Sequence, residues 1–368
     1  MTRSIATILI CGLTVLAAIA ALTAHADMFQ PTPPVIRGTI IYGNAITSTT
    51  RFVSNVLISG VGSPNVSTTS ADPGPTIGTY SLGGFGSGPY TVRPTKTGGV
   101  KNSINSFDAG RIAQHVIGNI VLTGNQLIVA DVSGNGIINS FDAAYVASYV
   151  VNNPGPRGST GKWIFIPVSR NYPSVTADVS GHDYTALLMG EVSGNWNHGS
   201  SGLVSGPERS TVISAPHLVT PPNNEVIVPV SIQGAVNKEI ISYEFDLRFD
   251  PSVIQPQKDP IQLAGTVSRR LSFAANAEEA GRLRVAVYGA IPLDRDGVLL
   301  SLRFIATGKP GSVSPLTWER IMLNEGSPRV AANGQIELSV ARSDGYQRRV
   351  SVQAPAPWHF LNFFPEPQ

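Results

Sequence analysis

Asp131, Ser133, Asn135, Asn139 and Asp142 fall at positions 1, 3, 5, 9 and 12 of a twelve-residue stretch. Gly136 occupies position 6, and the Ile137 carbonyl falls at position 7. This is the ligand spacing of an EF-hand-type loop, in which Gly at position 6 permits the sharp turn. All the ligands would be oxygens, which suit a hard cation, so calcium is the metal this pattern predicts. Position 8 is Ile138, an apolar residue able to bury itself beneath the loop. The competing reading is an Asn/Gly-rich turn that only leads into a capped helix.

The run Ile138-Asn139-Ser140-Phe141-Asp142-Ala143 also occurs as Ile104-Asn105-Ser106-Phe107-Asp108-Ala109, an offset of 34 residues (139 − 105). The same offset carries Ile112 onto Val146, Ala113 onto Ala147 and Val116 onto Val150. Each copy predicts a loop followed by a helix with one apolar face. The upstream copy lacks a loop front: its positions 1, 3 and 5 are Thr97, Gly99 and Lys101, so it should hold no metal alone. A matching front half occurs further on, as Glu191, Ser193 and Asn195. The expectation is a split site in which these three complete a shell begun by Asn105 and Asp108. The alternative is a polar turn at Glu191 with Trp196 packed in a core. A further echo around Asp178 has no Ser-Phe-Asp behind it and reads as a loop.

These loops must be carried by a largely β chain. The 37 Gly and 28 Pro fit many short strands and turns. Short β-branched runs lie between 35 and 96, and Trp163 to Ile166 begins a strand-like insert containing Tyr172 and Tyr184. That insert reads as packing beside the calcium module or, alternatively, as a sugar-stacking platform. A Gly/Ser/Asn-rich linker is expected over 197–210. Beyond it, Tyr243, Phe245, Leu247 and Phe249 alternate with polar residues, as in a half-buried strand. Many such strands within 211–341 predict a two-sheet sandwich, followed by an aromatic tail over 342–368.

The chain opens with Arg3, an apolar run from Ile5 to Leu22 and the exit Ala24-His25-Ala26. This pattern predicts a signal peptide over 1–26, hence a secreted or cell-surface protein without a transmembrane anchor after cleavage. Cys11 is the only cysteine and would leave with that peptide. A net charge of +2, with 14% charged residues, argues against nucleic acid as a partner. No Gly-x-Ser-x-Gly or His-Glu-x-x-His motif appears, and Glu278-Glu279 and Asp294-Arg295-Asp296 read as solvated turns, so no enzyme is expected.

The duplicated loop and helix resemble a dockerin, over about 97–196 with a degenerate first loop. Thr211 to Ala341 is similar to a cohesin, on its Val-Pro-Val run, its Ser-Tyr-Glu-Phe-Asp-Leu-Arg-Phe-Asp-Pro strand and turn, and Gly297-Val298-Leu299-Leu300. Residues 35–96 resemble a carboxypeptidase-regulatory-like or prealbumin-like sandwich. The resemblances imply a mainly β protein with a small α calcium module and a cohesin-like jelly roll. They also imply a secreted scaffold that binds cohesin- or dockerin-bearing proteins, with itself one candidate, in polysaccharide catabolism. Ser106, Phe107, Ser140 and Phe141 hold the positions where such modules present residues to a partner. The competing reading gives the serines to helix starts and the Phe rings to the core. A second class of function is a carbohydrate-binding surface or adhesion protein with polysaccharide as the direct partner.

Overall fold

The computed structural model describes residues 32–45, 50–72, 74–100, 102–198 and 210–340. The signal-peptide reading, the aromatic tail and most of the linker lie outside the described residues. Among the described residues, no helix is long and apolar enough to cross a membrane.

The N-terminal sandwich has two four-stranded sheets. One has the order β4 (Thr79–Leu82), β1 (Ile36–Tyr42), β8 (Tyr184–Leu188), β6 (Trp163–Ile166). The other has the order β3 (Val66–Thr69), β2 (Leu57–Val61), β5 (Tyr90–Thr95), β7 (Arg170–Tyr172). This revises the sequence expectation for 163–188. Those strands do not form an insert within the calcium module; they complete both sheets of the sandwich begun at Ile36. The helical segment is what interrupts the sandwich, leaving after β5 and returning at β6. β8 lies beside β1, parallel to it, with Ile40 opposite Tyr184 and Tyr42 opposite Ala186. Tyr172, Tyr184 and Trp163 are core residues, so these rings form no exposed sugar platform.

The helical segment holds α1 (Ser106–Val116), the short α2 (Asn125–Ala130) and α3 (Ser140–Val150). Ile112 of α1 and Val146 of α3, a pair matched by the repeat, are both fully buried in one core with the N-terminal sandwich. The helices start where Asn105 and Asn139 cap them. Each Asn accepts the amide two residues on, at 2.8 Å, while Asp108 or Asp142 reaches back to the Asn amide at 2.9 Å. The caps are therefore the asparagines. Ser106 and Ser140 are the first helical residues, at the helix starts where the alternative reading put them.

The C-terminal sandwich packs a six-stranded sheet on a five-stranded one. The first has the order β10 (His217–Thr220), β19 (Gly334–Leu338), β17 (Val313–Leu323), β12 (Ser242–Arg248), β15 (Arg282–Tyr288), β14 (Ser272–Asn276). The second has the order β13 (Ile254–Gln262), β16 (Gly297–Ala306), β11 (Glu225–Gln233), β9 (Val212–Ser214), β18 (Val330–Ala332). Tyr243, Phe245 and Leu247 point into this core, as their alternation requires. The opposite face of β12 is also covered, since Ser242 and Glu244 are buried as well.

Candidate metal centres and the interface between modules

The loop from Asp131 to Asp142 is folded around two carboxylates. Asp131 Oδ1 accepts from the Ser133 hydroxyl (3.2 Å) and the Gly134 and Asn135 amides (2.9 and 3.2 Å), and its Oδ2 accepts from the Gly136 amide (2.8 Å). Asp142 closes the loop by accepting the Ser133 amide at 2.9 Å. Gly134 and Gly136 have φ of +74° and +82°, the left-handed conformation such a turn needs. The Asn135 side chain accepts the Ile137 amide at 2.8 Å, and Asn139 Nδ2 approaches the Ile137 carbonyl at 3.4 Å. Ile138 is partly buried against the core, as an apolar position 8 requires. Among the described residues, no three His, Cys, Asp or Glu side chains are grouped for metal binding. A cation here would depend on mixed carboxylate, amide, hydroxyl and carbonyl oxygens. That donor set fits calcium, which Asp131, Ser133, Asn135, Asn139, Asp142 and the Ile137 carbonyl would hold, fixing the loop ahead of α3.

The second constellation assembles from two distant segments. Asp108 Oδ1 accepts the Val192 and Ser193 amides at 2.8 and 2.9 Å. Glu191 Oε1 accepts the Ser193 hydroxyl at 3.0 Å and the Asn195 amide at 2.8 Å. These bonds reproduce those of the intact loop, with Glu191 for Asp131, Ser193 for Ser133, Asn195 for Asn135 and Asp108 for Asp142. Gly194 even repeats the φ of Gly134, at +76°. Glu191 is also held by the Tyr42 hydroxyl and by Asn44, whose Nδ2 donates to the Glu191 carbonyl at 2.7 Å. Trp196, which the alternative reading placed in a core, is indeed buried, beside Tyr42 and Trp163. Burial, reinforced by the negative charge of Glu325, pushes the Asp108 carboxyl up to about 7. Burial dominates at Glu191 too, with Glu325 again adding to it, and raises that carboxyl to about 8. These are carboxylates that gain from a nearby positive charge.

A dockerin type I domain model matches residues 101–151, and a cohesin domain model matches residues 213–338. The chain carries a dockerin domain followed by a cohesin domain. The dockerin match ends before β6, so Glu191, Ser193 and Asn195 lie outside it. A type I cohesin–dockerin complex from Clostridium thermocellum is 22% identical with a TM-score of 0.31, covering 35% of this chain and 99% of that one. A non-cellulosomal cohesin from Archaeoglobus fulgidus is 21% identical with a TM-score of 0.31, covering 36% and 92%. A type I cohesin from Pseudobacteroides cellulosolvens is 16% identical with a TM-score of 0.31, covering 38% and 99%. No curated protein matches the chain.

The dockerin helices lie on the cohesin sheet. α1 packs against β12 and β15, and α3 against β14 and β15. Ala286 and Tyr288, on the outer face of β15, belong to the core built by the dockerin and the N-terminal sandwich. Gly110 allows the close approach, since a Cβ there would stand 2.9 Å from Ile241 Cδ1. The Ser106 amide donates to Glu244 Oε2 at 2.6 Å. Burial raises the Glu244 carboxyl above its ordinary value, while Arg320 at 2.6 Å and the Ser106 bond oppose the rise. At the other end, Asn276 Nδ2 donates to the Val151 and Asn152 carbonyls just past α3, at 3.0 and 2.9 Å.

The two Ser-Phe pairs have different surroundings. Ser106 is buried against the cohesin, and Phe107 is half-buried with the Arg111 guanidinium 6.0 Å from its ring. Ser140 is exposed and Phe141 is 67% exposed, so the Phe141 ring fills no core. Gly110, Glu244, Asn276 and Glu325 were not identifiable as interface residues from sequence. The only available signal was an acidic residue on the polar side of a predicted strand, which describes most surface strands.

Proposed function

We propose that this is a non-catalytic interaction protein whose dockerin and cohesin domains engage each other within one chain, with calcium ordering the dockerin. The observation that carries this reading is the burial of Ser242 and Glu244 on the outward face of β12 beneath α1. A strand's polar face is normally left to water, and a buried carboxylate is tolerated only when it is partnered. Here the partners are a dockerin amide and the cohesin's own Arg320. The intact loop supports a first calcium through Asp131, Ser133, Asn135, Asn139, Asp142 and the Ile137 carbonyl. The bonds joining Asp108 to Val192 and Ser193 support a second, split site of Asn105, Asp108, Glu191, Ser193 and Asn195. Secretion is supported by the leader pattern over 1–26, and extracellular polysaccharide catabolism is the setting these domain types suggest.

Engagement in cis requires a monomer. Light scattering over a wide concentration range, combined with hydrogen exchange, tests it. A monomer whose α1 amides stay protected at every concentration supports the reading. Protection that appears only on dimerisation would replace it with exchange between copies. Phe141 gives the protein a second feature: an exposed aromatic beside Ile137, itself 66% exposed, on the unengaged start of α3. Ser140 and Phe141 therefore remain available to a cohesin on another chain. Glycan arrays test the carbohydrate-binding alternative, for which the buried Tyr172, Tyr184 and Trp163 supply no surface.

A further inference from the structure

In the intact loop, Ile137 at position 7 occupies two partners: its amide goes to Asn135 Oδ1, and its carbonyl meets Asn139 Nδ2. In the split loop the matching residue is Ser103, whose amide goes instead to the Val100 carbonyl at 3.1 Å. The front half of this loop arrives from β8 and its back half from β5, and the chain does not run directly from one to the other. The matching atoms, Asn195 Oδ1 and Asn105 Nδ2, are consequently both buried without a hydrogen-bond partner. Asn105 is fully buried and Asn195 is 5% exposed, so water does not readily replace what is missing.

One cohesin group reaches this gap. Asn195 Nδ2 donates to Glu325 Oε1 at 2.6 Å. Glu325 is held there by its turn. Asn324, at φ +50°, accepts the Ile241 amide at 3.0 Å through Oδ1, and its own amide donates to the Ser242 carbonyl at 2.8 Å. The turn after β17 is thereby fastened to the start of β12, beside α1.

We infer that Glu325 of the cohesin domain adds an oxygen to the split dockerin loop, so that one divalent cation is held by both domains. The inference rests on the split-site reading and adds a ligand from the cohesin domain to it. Cation binding and docking in cis then become a single linked equilibrium, since a ligand that binds the docked form better stabilises it.

The test uses the full chain with calcium as the probe. Asp131→Ala removes the intact loop, leaving the split site to be read by calorimetry. One calcium per chain is expected in that variant, with added calcium slowing hydrogen exchange of the α1 amides. Adding Glu325→Gln, which keeps the side-chain shape, should weaken that calcium by about ten-fold or more and abolish the calcium effect on α1 exchange. Glu325→Asp, a shorter carboxylate, provides an intermediate case should the Gln variant fold poorly. No calcium bound to Asp131→Ala would overturn the split site itself. One calcium bound equally tightly with Gln at 325 would leave the split site standing and overturn the role of Glu325.

Discussion

Glu244 Oε2 accepts the Ser106 amide at 2.6 Å, so a cohesin carboxylate sits at the first turn of a dockerin helix. The positive end of α1 and the Arg320 guanidinium both favour the charged form, while burial opposes it and prevails. A carboxyl whose pKa rises above its unfolded value of about 4.3 makes the folded state take up a proton. Its favourable contribution is fully present below the unfolded pKa and is lost as pH rises through the folded one. Wild type should therefore lose stability relative to Glu244→Gln as pH rises from about 4.3. Thermal melts of both proteins across pH 4 to 8 measure this difference. Parallel profiles would show that Glu244 titrates alike in both states.

Gly110 should tolerate Ala and reject Leu. An alanine Cβ would meet the Ile241 side chain at 2.9 and 3.2 Å and the Gly289 carbonyl at an ordinary 3.5 Å, whereas a larger side chain must push the cohesin away. Overpacking of this kind costs about 1–3 kcal/mol. Gly110→Leu should raise hydrogen exchange along β12 and α1 while leaving the sandwich cores protected. Unchanged exchange would mean that the helix and sheet are not held together here.

Asn276→Ala should weaken the other end of the interface. It leaves the Val151 and Asn152 carbonyls without their donor, a loss of about 1–3 kcal/mol if water cannot reach them. Denaturant melts of the full chain provide the measurement, and a shift below about 0.5 kcal/mol would place those carbonyls in contact with water.

Asp131→Ala should abolish calcium uptake by the intact loop. Four loop donors converge on that carboxylate, so the loop loses both a ligand and its internal frame. With two carboxylates, its affinity should fall in the ~10⁻⁴ to 10⁻³ M range of extracellular modules. Calorimetry showing unchanged stoichiometry in the variant would exclude the assignment.

Phe141→Ala should leave stability unchanged and reduce capture of a separate cohesin by about 2 kcal/mol, the scale of an aromatic hot spot. Phe107→Ala, at the half-buried copy, should act on folding or docking in cis instead. Equal effects of both on partner capture would mean that the copies are interchangeable.

The residue pattern by itself determined the intact loop, because the residues that build it lie within twelve consecutive positions and their spacing is the geometry. It likewise determined the repeat, whose apolar positions became the shared face of α1 and α3, and the inward faces of strands such as β12. The tertiary structure decided what lies against the other faces. Alternation assigns Tyr243, Phe245 and Leu247 to a core but says nothing about whether Glu244 meets water or a helix. The strands from Trp163 to Leu188 carry no mark of their sheet, and only the pairing of β7 with β5 and the parallel pairing of β8 with β1 returned them to the N-terminal sandwich. The latter pairing delivers Glu191, at the end of β8, to Asp108, 83 residues earlier (191 − 108). A half-loop is legible as a fragment, but its other half and the Glu325 beside it are brought together by packing between separate sheets, which no local spacing records.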